Sequence, residues 1–264
     1  MTFFEIYIEG FLVIVAFFSL IWGISVYLKD ASIVDIFWGA GFILVSAFYF
    51  LMTEMFTVRK IIVMSLVLIW GLRLSIHIMW KNMGKGEDFR YREFRKRYGE
   101  HRYWWVSYFQ VFLLQGSLLW LISAPILAAQ YFTKTNALNY LDYVGLAFWL
   151  IGFVFETLGD WQLARFKSNP ENEGKILKSG LWKYTRHPNY FGDAMVWWGF
   201  GIISVAVGSY LPVLSSFLMT YLLVKISGVA MIEKSLKSSK PGYTEYVRTT
   251  NAFIPWFPKK HKNE

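Results

Sequence analysis

The sequence predicts an all-α polytopic membrane protein with seven transmembrane helices. Three observations carry that expectation. Hydrophobic residues fill 55% of the 264 positions and charged ones only 17%, where a soluble domain carries about 25% charged residues. Seven apolar segments reach the length of about 20 residues that a helix needs to cross the hydrocarbon core. Lysine and arginine gather in the segments that one face of the membrane would hold.

The first segment, about 4–28, has neither a basic leader nor a small-residue cleavage motif, so it reads as a spanning helix and not as a cleaved signal. The second, about 33–53, opens in SIVDIFWGAG and carries Asp35. The third, about 60–80, contains WGLRLSIH, whose Arg73 and His77 stand four apart on one helix face. The fourth runs over about 106–131. The fifth, about 141–164, ends in FETLGDWQLARFK, with Glu156 and Asp160 again four apart. The sixth, about 190–209, starts in NYFGDAMVWW and holds Asp193. A short GSYLP turn leads to the seventh, about 211–233, with Pro212 suited to a helix start. This last segment holds Lys225 and Glu233. There is no internal repeat or low-complexity stretch, so residues 1–264 read as one membrane domain.

The orientation follows from charge. Residues 81–105 hold eight basic side chains: Lys81, Lys85, Arg90, Arg92, Arg95, Lys96, Arg97 and Arg102. The stretch after the fifth segment holds Arg165, Lys167, Lys175, Lys178, Lys183 and Arg186, and the tail after Glu233 holds seven more. The opposite side has only Arg59, Lys60 and Lys134. The positive-inside rule then puts both long loops and the C-terminus in the cytoplasm and the N-terminus outside. The net charge of +9 is accounted for by topology, and nucleic acid is not an expected partner. With no cysteine, disulfides and thiolate chemistry are excluded. The four histidines, at 77, 101, 187 and 261, form no ligand spacing, so no metal site is expected.

Ionisable residues inside spanning segments are costly and mark function by default. Asp35, Arg73, His77, Glu156, Asp160, Asp193, Lys225 and Glu233 all fall toward the expected cytoplasmic side. Ion pairs between helices, or side chains snorkelling to the interface, would explain any one of them. A polar cavity open to the cytoplasm explains the group.

GLWKYTRHPNYFGD, residues 180–193, is the most informative stretch. Pro188 opens a helix, where its missing amide costs nothing. The free amides of that first turn, with Lys183, Arg186 and His187, make an anion-binding corner. Asn189 offers both a donor and an acceptor to an amide such as a carboxamide or adenine. Tyr184 and Tyr190 add flat faces and hydroxyls.

RHPNY followed by GD, with GLW and a tyrosine before it, resembles the C-terminal region of the steroid 5α-reductase family. The likeness extends to GDWQLARFK upstream and to EKSLKSSKPGYTEYVRTTNAFIPWF downstream. DIFWG, WGLRLSIH and GEDFRYREFR look like the bacterial branch of that family, which implies a bacterial inner membrane. The resemblance implies seven helices and NADPH entering from the cytosol. Residues 1–105 then supply the N-terminal helices and first cytoplasmic loop, and residues 106–264 form most of the cofactor site. Asp160 resembles the family's nucleotide-contacting acid, and Lys167 stands where the family has a phosphate-binding arginine. Asn189 matches the motif's own asparagine. Asp193 stands where the eukaryotic enzymes tend to have Glu. Tyr246 resembles the tyrosine before the family's C-terminal IPF-like end, and Lys225 stands for an arginine of the last helix.

On this reading the nicotinamide lies near Asp193 and Asn189, the phosphates meet Lys167, Arg186 and the loop with Arg90, Arg92 and Arg95, and Tyr184, His187, Tyr190 and Glu233 complete the expected cofactor contacts. A membrane-soluble substrate, most simply a 3-oxo-Δ4-steroid, would lie against Trp38, Tyr49, Trp70 and Trp197. Hydride addition to the β-carbon of such an enone needs an acid at the carbonyl oxygen. Asp35 is the expected acid, with Asp193 as its companion in catalysis. The eukaryotic enzymes use a glutamate of helix two and a tyrosine of helix three near the carbonyl. Trp70 stands nearest to the second position, and an indole is no acid, so the proton donor stays open. The isoprenylcysteine methyltransferases, cousins with a similar RHPxY element, imply the alternative of methyl transfer from S-adenosylmethionine.

Overall fold

The computed structural model describes residues 1–226, 228–229, 232–233, 236 and 240–259. Lys234, Lys237, Lys260, His261 and Lys262, and residues 227, 230 and 231 of the seventh expected segment, lie outside them. Among the described residues the regular structure is entirely helical. The chain divides into two compact units, one of Met1–Leu138 with Val207–Pro212, the other of Asn139–Ala206 with the residues from Val213 onward.

In the first unit, α1 (Phe3–Leu28) starts in a capping box, with the Thr2 hydroxyl on the Glu5 amide and the Glu5 carboxylate on the Thr2 amide. Two of the four orphan amides of the helix start are thereby satisfied. Next, α2 (Ile33–Met52) packs on α3 (Val58–Asn82) at a point where only glycine fits. A Cβ at Gly39 would lie 2.1 Å from the Gly71 carbonyl oxygen. The far end of α2 is closed by the buried Lys60, whose ammonium donates to the carbonyls of Phe50 at 3.0 Å and Thr53 at 2.8 Å. A cation on the negative end of the helix dipole is the favourable polarity. The loop after α3 folds into α4 (Phe89–Tyr98), capped by Asp88. Gly99, at φ +80°, then reverses the chain, and helix resumes as α5 (Glu100–Ser107). A π turn over Tyr108–Leu113 joins it to α6 (Leu114–Ile122) and α7 (Ala124–Tyr131). The fourth span thus begins at Glu100, six residues before the expected start.

In the second unit, α8 (Tyr140–Ser168) opens with a capping box from Asn139 and Asp142. It packs along α9 (Pro188–Ala206) through glycines spaced by seven on both helices. A Cβ at Gly192 would sit 2.3 Å from the Glu156 amide and 2.5 Å from the Gly152 carbonyl, and one at Gly199 would sit 2.7 Å from the Gly145 carbonyl. Small residues at such crossings let backbones approach, which is how helices associate where lipid removes the hydrophobic drive. The second unit also holds the 3-10 turns Pro170–Asn172 and Gly180–Lys183, α10 (Val213–Tyr221), continued by a π turn over Leu222–Ile226, and α11 (Tyr243–Thr249).

Among the described residues five helices are long and apolar enough to cross a membrane: Phe3–Leu28, Ile33–Met52, Val58–Asn82, Glu100–Tyr131 and Tyr140–Ser168. They account for the first five expected spans. The sixth corresponds to α9, whose tryptophans, glycines, Asn189 and Asp193 lower its hydropathy. The seventh corresponds to Val213–Ile226, a shorter apolar helix.

Candidate functional sites

Within the first unit the loop helix α4 is fastened to α2 by one ion pair, and the residues around it hold the approach to α2 by hydrogen bonds. Arg90 donates to Asp35 Oδ2 at 2.7 Å and also holds Asp88 at 2.9 Å. Arg95 pairs with Glu87 at 2.9 Å, and Glu87 in turn accepts the Ala31 amide. Between these pairs Tyr91 turns inward and is 4% exposed. Its hydroxyl donates to Asp35 Oδ1 at 2.7 Å and accepts from Gln115 Nε2 at 3.0 Å. Gln115 Oε1 accepts from Trp38 Nε1 at 2.5 Å. The result is one hydrogen-bonded chain, Arg90–Asp35–Tyr91–Gln115–Trp38, assembled from α2, α4 and α6. Burial and the adjacent Asp35 charge push the Tyr91 phenol well above its ordinary value. Trp38 continues into an edge-to-face row with Phe42 and Trp70, ring centroids 5.9 and 5.6 Å apart.

Within the second unit the RHPNY stretch forms a corner whose backbone is strapped by the C-terminal segment. The Thr185 hydroxyl donates to the Phe253 carbonyl at 2.9 Å, the Arg186 amide to Asn251 O at 2.9 Å and the Trp256 amide to Tyr184 O at 2.9 Å. Arg186 is 6% exposed. Its guanidinium holds Glu233 at 2.6 Å and donates to the carbonyls of Val247 and Thr250. His187 lies 3.4 Å from the same Glu233 oxygen and stacks on Tyr190, centroids 5.7 Å apart. The Tyr246 hydroxyl donates to Trp182 O, and Trp182 Nε1 to Gly159 O at 3.1 Å. Burial pushes the Tyr243 phenol up to about 12 and the Tyr246 phenol higher still, so both stay neutral.

Asn189 sits in the first turn of α9 against Gly159. Its Nδ2 donates to Asp160 Oδ1 at 3.0 Å. Its Oδ1 is buried and has no hydrogen-bond partner among the described residues. The Thr157 hydroxyl is in the same state. A buried acceptor left unmade costs about 1–3 kcal/mol, so an oriented orphan of this kind fits a ligand's donor. Asp193 follows one turn later, on the Asn189 face of α9. A carboxamide or amino-purine edge therefore fits this corner.

The other expected residues fall as follows. Lys167 is exposed in the last turn of α8, and Lys225 is exposed in the π turn after α10. Tyr49 is buried in the first unit, its hydroxyl 3.0 Å from Ser123 Oγ, with its ring against Gly10. Trp197 is buried in the second unit beside Phe200. Arg90, Arg95 and Arg186 are engaged on carboxylates. Sequence reasoning missed Tyr91 and Gln115. For Tyr91 a signal was present: Asp88 caps a short helix in which Tyr91, Phe94 and Tyr98 recur at helical spacing, which marks an inward face.

Residues 21–250 match the model of a family described as a protein of unknown function, DUF1295. An uncharacterized protein of Schizosaccharomyces pombe is 25% identical over 280 residues, covering 97% of this chain and 81% of that protein. The mouse 3-oxo-5-alpha-steroid 4-dehydrogenase 1 is 37% identical over 60 residues, 23% of this chain and 24% of the enzyme. The very-long-chain enoyl-CoA reductase of Dictyostelium discoideum is 32% identical over 69 residues, 26% of this chain and 23% of the enzyme. Both of these matches span about a quarter of the relative's length. No solved structure matches the chain. The family match runs through most of the sequence, including Asp35, Tyr91 and the Asn189 corner, and the chain belongs to the DUF1295 family of the steroid 5α-reductase-like superfamily.

Proposed function

We propose that this protein is a membrane reductase that adds hydride from NADPH to the β-carbon of a C=C bond conjugated to a carbonyl in an apolar lipid. The observation that carries the reading is the Asn189 carboxamide, pinned by Asp160 with its Oδ1 buried and unmet. In this role Asn189 and Asp160 recognise the nicotinamide carboxamide or the adenine edge. Tyr190, His187, Tyr184 and Asp193 flank it, and Lys167 and Lys225 meet phosphates. Arg186 and Glu233 act at one remove: Glu233 holds the Arg186 guanidinium, which binds the strap's carbonyls at Val247 and Thr250. Bound NADPH supplies the hydride.

The acid side of the reaction is assigned within the first unit. As hydride adds at the β-carbon, negative charge develops on the carbonyl oxygen and needs a fixed donor. The Asp35–Tyr91 pair offers one proton, that of the neutral phenol hydrogen-bonded to the Asp35 carboxylate, and Arg90 keeps Asp35 in place. Trp38, Phe42 and Trp70 present an aromatic wall suited to a flat apolar molecule. A 3-oxo-Δ4-steroid is the substrate class proposed first. The likeness to an enoyl-CoA reductase supports a second, an α,β-unsaturated acyl thioester. Both place the double bond next to a carbonyl, so the same acid serves either.

The test is thermal shift of the detergent-purified protein with NADPH, NADH and S-adenosylmethionine. A ligand at a hundred times its Kd stabilises by about 2.7 kcal/mol. NADPH should raise Tm, and Asn189→Ala should lose that rise while keeping the ligand-free Tm near wild type. A rise with S-adenosylmethionine alone would instead assign the corner to methyl transfer.

A further inference from the structure

We propose that the C-terminal segment Phe253–Lys259 is a membrane-interface anchor, seated in the acyl–headgroup boundary of a leaflet containing anionic lipid. Ile254, Trp256 and Phe257 are 65%, 66% and 74% exposed. These are large apolar side chains displayed together on irregular backbone. Contiguous apolar exposure of this kind marks an interaction surface. The segment is held in place by its backbone: Thr185 binds Phe253 O, the Trp256 amide binds Tyr184 O, and the Lys259 amide binds Thr249 O at 2.9 Å. With the main chain fixed inward, the side chains are presented outward, and Phe257 also meets the Tyr184 ring at 6.0 Å.

The chemistry around the patch selects the bilayer interface as its occupant. Lys183 and Lys259 are exposed beside it, and between residues 240 and 259 the basic Lys240, Arg248 and Lys259 face a single acid, Glu245. Tryptophan and tyrosine prefer the depth where one edge is wet and the rest apolar. Each lysine near an anionic surface adds about 1 kcal/mol. A protein-binding patch has no need of that one-signed rim, whereas a headgroup layer does. The anchor fixes the height at which the Thr185–Asn189 corner meets the membrane surface. The inference stands whether or not that corner holds a dinucleotide.

The absence of native cysteine makes the test clean. Ile254→Cys, Phe257→Cys and, as a water-facing reference, Glu173→Cys are spin-labelled one at a time in nanodiscs holding one protein each. Collision with oxygen, which favours lipid, is compared with collision with a water-soluble nickel chelate. The Ile254 and Phe257 labels should show an oxygen-to-nickel ratio several-fold above the Glu173 label, and the ratio should fall in Lys183→Gln/Lys259→Gln or when anionic lipid is omitted. Nickel access equal to the reference at both positions would overturn the anchor. So would an oxygen preference that appears only when several proteins share a disc, because the patch would then pair copies of the chain.

Discussion

A phenol that is 4% exposed and donates at 2.7 Å to a carboxylate holds its proton more tightly than a phenol in water. Tyr91 therefore remains the protonated partner of Asp35 to well above pH 10. The donor form is the neutral one, and a raised pKa extends its range upward. Reduction by the proposed acid should show no alkaline limb from Tyr91 below that pH. A limb centred lower that vanishes in Tyr91→Phe would remove the assignment. Replacing Tyr91 by Phe keeps the ring and deletes two hydrogen bonds, each worth about 1 kcal/mol of stability. It should lower kcat by about a hundredfold or more, the usual contribution of general acid catalysis, with NADPH binding intact by thermal shift. Asp35, Asp160 and Asn189 were legible because each sits in a distinctive motif. The bond between Tyr91 and Asp35 was hidden because the two lie 56 positions apart, and separation along the chain gives no sign of contact. Arg90 and Arg186 were legible as charges but not as the partners of Asp35 and Glu233, for the same reason.

Helices here are positioned by what their faces omit. Gly145, Gly152 and Gly159 on α8 and Gly192 and Gly199 on α9 leave out side chains where backbone meets backbone. The neighbours at Gly192 are a peptide nitrogen and a carbonyl, which cannot swing aside as a flexible side chain would. Gly192→Ala should therefore cost at least the 1–3 kcal/mol typical of overpacking and disturb the Asn189 corner one turn away. Gly23 on α1 meets nothing within 4 Å of an added Cβ. There Gly23→Ala should be neutral or stabilising by up to about 1 kcal/mol, the helix-propensity difference. Thermal melts of both variants in one detergent, with and without NADPH, check the contrast. Equal Tm values would mean that α8 and α9 do not depend on this contact. The seven-residue recurrence was visible in the sequence, but its meaning needed the partner helix. The existence of the first five spans was legible from length and apolarity. The π turn at Tyr108–Leu113 was not, because an extra residue per turn leaves composition unchanged.

For the whole molecule the decisive question is how many times the chain crosses the bilayer. Length argues that α9 crosses: its 19 residues rise about 28 Å at 1.5 Å each, close to the roughly 30 Å hydrocarbon core. Its polar residues, Asn189 and Asp193, fall in the first turns, where they reach the headgroup layer instead of the bilayer centre. Mean hydropathy counts those turns against the helix, although they lie where polarity is cheap. Val213–Ile226 spans about 21 Å by the same rise, and the sequence stays apolar through the next residues, SGVAMI. Seven crossings with basic loops inside place Thr135 outside, Lys175 inside and Tyr210 outside. Five crossings, with α9 lying on the surface, place Tyr210 on the same side as Lys175. Single-cysteine variants at these three exposed positions, probed with a membrane-impermeant maleimide on intact cells, separate the two. Labelling of Thr135→Cys and Tyr210→Cys but not Lys175→Cys before permeabilisation is the expected pattern. Protection of Tyr210→Cys until the membrane is opened would reduce the count to five and put the Asn189 corner on a helix that never leaves the cytoplasmic face.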